Sequence, residues 1–289
     1  MSAEVRQRDM VALRSELADL AERHPPSVRA VHLANLDRTV HDVTLVLARS
    51  ESGARVVDVG GGVSLFTVGC SLRDRRATLL DDFGDPVNHA LGPELLDLHR
   101  DNGVEVIARD VVEDGLGVEA GSLDVVTSFH SMEHWHHSPK RLFAEVREAL
   151  RPAGLFVLAG PNCVNLRKRL TALVGRAKWS AMVDWYEQER FRGHVREPDV
   201  EDLRYIARDM GLVDVEVIGR NWLGYRSPSP STRRLTGLAD RPLRPFASLC
   251  SDIYMAGRRP AGAGGYSHPQ VGQVASARQH PPVSFSPSE

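Results

Sequence analysis

The sequence predicts an α/β chain built on a doubly wound, mostly parallel sheet, with helices before the first strand and a helical insertion near the last ones. Three observations carry that expectation. From Arg55 onward, short apolar, β-branched runs alternate with stretches of helical spacing, the pattern of a sheet covered on both faces. The first run, Arg55-Val-Val-Asp-Val59, ends directly in Gly60-Gly61-Gly62, as a strand entering a glycine turn does. No apolar run approaches the ~18 residues of a membrane span.

The elements follow in order. Residues 4–23 place Val11, Leu13, Leu17, Leu20 and Ala21 at helical spacing before Pro25-Pro26 stops the helix. A second amphipathic stretch runs from Ser27 to Ser50, and together they form an N-terminal helical cap, 1–50. The core, 51–162, reads as strand Arg55–Val59, helix Val63–Leu72, strand Ala77–Asp81, helix Pro93–Asn102 and strands Val104–Ala108 and Leu123–Phe129. Helix Pro139–Leu150 is then broken by Arg151-Pro152-Ala153-Gly154 ahead of strand Leu155–Ala159. Residues 163–198 interrupt the alternation as a helical lid, with a basic segment, Leu166–Ala177, and the aromatic residues Trp179, Trp185, Tyr186 and Phe191. The core resumes over 199–259 with helix Pro198–Met210, N-capped by Asp199, strand Val213–Ile218, a Pro-, Ser- and Arg-rich loop over 220–250, and strand Asp252–Ala256. The composition of 260–289 is that of a disordered tail.

Composition narrows the class. With 42% hydrophobic and 26% charged residues the chain is globular. Its formal charge of −2 argues against a dedicated nucleic-acid binder. Cys70, Cys163 and Cys250 lack CxxC spacing, so neither a disulfide framework nor a thiolate zinc site is expected. Met1 to Arg14 holds no signal-peptide core, and a cytoplasmic location is expected.

Asp58, Gly60, Gly61 and Gly62 form the most informative feature. Glycines allow close backbone approach and positive φ. Asp81 ends the next strand, at the spacing from which an acid accepts both hydroxyls of a ribose; its neighbour Asp82 is the register alternative. Asp110, followed by Val111, ends the third strand, where it can accept from an adenine amine. Ligands of open α/β sheets bind outside the carboxyl ends of the strands, so these acids and glycines converge on one crevice.

The run Val56-Val-Asp58-Val-Gly60-Gly-Gly62, Asp81 and Ala108-Arg-Asp110 resembles the class I S-adenosylmethionine-dependent methyltransferases. So do Ser122-Leu-Asp124-Val-Val126, Met132-Glu133-His134 and Leu150-Arg-Pro152-Ala-Gly154, in the order of that family's small-molecule branch. The resemblance implies a Rossmann-like, seven-stranded sheet with an antiparallel last strand and S-adenosylmethionine as cofactor. It places Gly60 and Gly62 beside the methionine part, with Asp58 fixing the turn or meeting the amine. Asp81 then serves the ribose, Asp110 the adenine, and Phe129 and His130 the surroundings of the sulfonium. Ser64 departs from the family, which often has a third glycine there.

Other constellations fit less well. A nicotinamide-dinucleotide fingerprint needs the missing third glycine. His130-Ser-Met-Glu133-His134 spells H-x-x-E-H, an inverted zinc-protease signature, but it directly follows a strand and Pro139 leaves little helix, so no metal is expected. Ser128-Phe-His130-Ser131 is neither the Asn/Asp-Pro-Pro-Tyr/Phe of adenine or glutamine methylation nor the Pro-Cys of cytosine methylation.

Most of the catalysis would come from aligning acceptor, methyl and sulfur, and a hydroxyl acceptor gains from losing its proton as it attacks. Histidine can take that proton near neutral pH. His134 is the first candidate base and His194 the second, with a structural role open for either. The insertion's eight basic residues against four acids favour an anionic small-molecule acceptor or an acidic surface, or simply form a solvated face. The expectation is O-methylation of a natural-product or sugar-like hydroxyl. N- or C-methylation and a non-catalytic cofactor-binding scaffold are the alternatives. Oligomeric state is not readable.

Overall fold

A computed structural model describes residues 3–84, 92–176, 180, 182–187, 191, 193–222 and 229–262. Two helices come first, α1 (Ala3–Ala21) and α2 (Pro26–Leu47). The alternating part follows as β1 (Arg55–Val59), α3 (Phe66–Ser71), β2 (Arg76–Asp81), α4 (Asp97–Asp101), β3 (Glu105–Ala108), α5 (Val111–Asp114), β4 (Leu123–Phe129), α6 (Lys140–Ala149) and β5 (Leu150–Pro161). The chain continues through α7 (Leu166–Leu173), α8 (Met182–Tyr186), α9 (Val200–Asp209), β6 (Val213–Arg220), α10 (Pro230–Leu243) and β7 (Asp252–Arg258).

The seven strands form one sheet in the order β3-β2-β1-β4-β5-β7-β6. β1 pairs in parallel with β2 and β4, while β7 runs antiparallel to both β5 and β6. Because side chains alternate across a strand, neighbouring residues feed opposite cores. Val56, Val125, Leu155 and Val157 pack with Leu13, Leu17, Val43 and Phe66 on one face. Val57, Val126, Phe156 and Leu158 pack with Leu142, Val146 and Leu203 on the other. The cap is therefore continuous with the core of the sheet. Gly69 makes this close approach of α3 to α2 feasible: a Cβ there would lie 2.7 Å from Val43 Cγ2.

Asp199 caps α9 as expected, and Asp202 reciprocates in a capping box. Two expectations are corrected. The segment 220–250 holds a helix, α10, anchored where buried Asp240 accepts from the Asn221 amide at 2.9 Å and pairs with Arg220 and Arg244. A proline at the first helical position, Pro230, and the spacing of Leu235 and Leu238 were its signals against a turn-like composition. Strand β5 begins at Leu150, because the Pro152-Ala153-Gly154 break is an irregularity inside the strand, with Ala153 at φ +60°. Of the insertion's aromatic residues, Trp185 and Tyr186 are 60% and 72% exposed. Lys178, Trp179, Glu189, Arg190 and Arg192, and residues 263–289 of the expected tail, lie outside the described residues. Among the described residues, no helix is long and apolar enough to cross a membrane.

Candidate active site

Strand order reverses at β1, which lies between β2 and β4, and a crevice at the carboxyl ends of strands is the consequence of such a switch point. A cleft of about 650 Å³ opens there. Asp58, Gly60, Gly61, Gly62, Asp81, Asp82, Asp110, Val111, Phe129, His130, His134 and His194 all line it.

The glycine turn is held from below. Asp58 is buried at the end of β1, and its Oδ1 accepts from Thr127 Oγ1 at 2.6 Å. Burial pushes this carboxyl up to about 7, against the opposing effect of the Thr127 hydrogen bond. A Cβ on Gly61 would lie 2.1 Å from Asp58 Oδ2, and one on Gly60, at φ +73°, would lie 1.8 Å from Ser131 Oγ. Both glycines are thus required by the protein's own packing.

Asp81 closes the turn from the neighbouring strand. Its Oδ2 accepts the Gly62 amide at 2.8 Å and its Oδ1 the Phe83 amide at 2.6 Å. Burial nevertheless raises the carboxyl to about 6. Each oxygen retains a lone pair, an acceptor set that fits the two adjacent hydroxyls of a ribose. Asp82 accepts the Gly84 amide at 2.8 Å. Asp110 caps α5 through Oδ1, which accepts from Val112 and Glu113. Its Oδ2 makes no hydrogen bond among the described residues, so capping engages one carboxylate oxygen only.

The far end of the cleft is built from the turn after β4 and from the insertion. His130 has φ +54°, uncommon for a residue with a Cβ and characteristic of functional sites. Its Nδ1 lies 3.6 Å from Glu133 and its Nε2 3.5 Å from Asp252, so it stands between two buried carboxylates. Burial would raise the Glu133 carboxyl, but His130 beside it holds it below the usual range. The His134 and His194 rings meet edge to face at 4.9 Å. His194 Nδ1 lies 2.8 Å from Glu197 Oε1. Glu197 is buried and also pairs with Lys168, so its carboxyl stays low despite burial.

Helix α2, part of the expected N-terminal cap, walls the cleft, and the sequence reading did not name its lining residues. His32, Asn35, Thr39 and Asp42 repeat at helical spacing along it, and Arg38 joins them at the cleft. That polar stripe within a half-buried helix was the available signal. Trp222 and Asp252 also line the cleft, brought there by the antiparallel pair at the sheet's end.

A family model described as a methyltransferase domain matches residues 31–217. The chain belongs to that methyltransferase family. The match runs from α2 to β6, so it includes every residue placed above on the glycine turn and at both histidines. Solved structures with this fold include an S-adenosylmethionine-dependent methyltransferase from Thermotoga maritima, described as a possible histamine N-methyltransferase, at 14% identity and TM-score 0.55, covering 83% of this chain and 99% of that one. A methyltransferase in complex with the Trm112 activator of Haloferax volcanii matches at 20% identity and TM-score 0.53, covering 85% and 98%. An Archaeoglobus fulgidus S-adenosylmethionine-dependent methyltransferase matches at 15% identity and TM-score 0.50, covering 75% and 91%. No curated protein matches significantly. This methyltransferase therefore has the class I, Rossmann-like fold, with its antiparallel β7 between β5 and β6.

Proposed function

We propose that the chain methylates a hydroxyl of a small, natural-product- or sugar-like metabolite. S-Adenosylmethionine is the methyl donor: when bound it supplies a sulfonium methyl, and transfer forms the oxygen–carbon bond as the carbon–sulfur bond breaks with its electron pair passing to sulfur. The observation that carries the reading is that the glycine turn, Asp81 and the His134–His194 pair face one cleft.

The chain's own residues divide the work. Asp81 offers its remaining lone pairs to the ribose hydroxyls, and Asp110 Oδ2 accepts the adenine amine. Phe129 and His130 line the space beside the sulfonium. The acceptor enters against His134 and His194, where a hydroxyl proton is removed as attack begins. Helix α2 covers the cleft, and excluding water strengthens these polar interactions. Arg38 and Arg109 line the cleft and would hold an anionic group on the acceptor.

Calorimetric titration with S-adenosylmethionine and S-adenosylhomocysteine, with NAD as control, tests the donor. Binding of both sulfur nucleotides, weakened by Asp81→Ala, supports the reading; binding of neither, or of NAD alone, refutes it. A screen of hydroxyl and amine acceptors with wild type and His134→Ala then tests the acceptor. Turnover confined to hydroxyls and lost in the variant is expected.

A further inference from the structure

We propose that Glu133, His134 and His194 bind one divalent first-row transition-metal ion at the acceptor end of the cleft. This reverses the expectation of no metal. That expectation rested on the helix which H-x-x-E-H requires, whereas Met132–His134 forms a 3-10 turn and the third ligand comes from the insertion.

One donor atom from each of the three residues lies within 4.8 Å of the others. Bonds of about 2.1 Å at tetrahedral angles need donors roughly 3.4 Å apart, a change that side-chain rotation supplies. The backbone already fixes the approach: the Val195 and Arg196 amides donate to the Glu133 carbonyl at 2.6 and 3.3 Å. Glu197 completes the preparation. Its carboxylate, paired with Lys168, can only accept, so His194 Nδ1–H donates to it and Nε2 carries the free lone pair. A carboxylate behind a histidine in this way is how metal-binding imidazoles are oriented.

Glu133 supplies an independent observation. It is 1% exposed, and its Oε2 has no hydrogen-bond partner among the described residues. A buried carboxylate oxygen is normally paired or bound to a metal. Two imidazoles with one carboxylate suit zinc, iron(II), cobalt or manganese better than magnesium or calcium. Three protein ligands leave coordination positions open, and both histidines face the cleft.

The role of the ion rests on the proposed O-methylation. An acceptor hydroxyl taking an open position would have its pKa lowered and lose its proton to solvent. Its oxygen lone pair then forms the bond to the methyl carbon while the carbon–sulfur pair goes to sulfur. His134 and His194 act in that case as ligands and not as bases.

The test uses the full chain after dialysis against a chelator. Cobalt(II) is titrated by visible absorption and zinc by calorimetry, in wild type, Glu133→Gln, His134→Ala and His194→Ala. Each protein is also titrated with S-adenosylhomocysteine and melted thermally. One ion per chain is expected, bound at least about tenfold more weakly in each variant, with melting and nucleotide binding retained. If His194→Ala fails to fold, His194→Gln replaces it. Nucleotide binding without saturable metal binding, or metal binding indifferent to all three substitutions, overturns the inference. Metal binding that depends on the three residues, without nucleotide binding, upholds the site and overturns only the methyltransfer reading.

Discussion

Asp81 Oδ2 accepts the Gly62 amide at 2.8 Å, so the acid that ends β2 holds the turn that ends β1. Removing it costs the turn a charge-assisted bond and, in the proposed role, the ribose its acceptor. Asp81→Ala should weaken S-adenosylhomocysteine binding by roughly 1.5–3 kcal/mol, at least tenfold by calorimetry. The pH dependence follows from the carboxyl, which burial raises to about 6. In the proposed role ribose hydroxyls donate to the ionised form, so affinity should weaken as pH falls below about 6. A flat profile from pH 7.5 to 5 would remove the ribose role.

Gly60→Ala should destabilise the protein through two separable effects. Its φ of +73° costs an L-residue roughly 1–2 kcal/mol, and its new Cβ would lie 1.8 Å from Ser131 Oγ. Adding Ser131→Gly removes the collision and leaves the backbone strain. Thermal melting should show a loss in Gly60→Ala that the double variant recovers only in part. Full recovery would mean that the strain is negligible.

Asp58 makes stability depend on pH. Burial raises its carboxyl from 3.8 to about 7, so between these values the folded state holds more protons than the unfolded state. Its contribution is present below pH 3.8 and is lost as pH rises through 7. The full penalty is at most about 4 kcal/mol. The stability of Asp58→Asn relative to wild type should increase from pH 4 to about 7 and then level off. Chemical denaturation across that range measures it, and a constant difference would show that Asp58 folds ionised.

His24, His32 and His99 act with the opposite sign at the joint between cap and core. The His24 and His32 rings lie 4.7 Å apart, and burial lowers His32 to about 3 and His99 to about 4. The unfolded chain therefore takes up protons first as pH falls below 6.5. The stability held above that pH should be lost progressively toward pH 4. His32→Leu should flatten this loss, measured as the change in melting temperature between pH 7 and 5. An equal loss in the variant would exonerate His32.

Much of the nucleotide end of the cleft was legible because it is local. A strand, its glycine turn and the acid at the next strand's end need only short-range spacing and the rule that sites lie at carboxyl ends. The polar stripe of α2 was hidden because His32, Asn35, Thr39 and Asp42 interleave with apolar positions that dominate the helical pattern. Helix α10 was hidden because its Pro-, Ser- and Arg-rich composition reads as loop, while its anchor, Asp240, bonds residues at the end of β6.

By itself the sequence determined the alternating strands and helices, the Gly60–Gly62 turn with Asp58, Asp81 and Asp110, and hence the family. Each follows from backbone conformation and periodicity within a few residues. Only the tertiary structure decided that His134 and His194 stand ring to ring, with Glu197 behind one and buried Glu133 beside the other. That meeting joins the turn after β4 to the insertion through backbone hydrogen bonds at Glu133. Contacts between distant segments are set by how the sheet packs, and no local pattern encodes them.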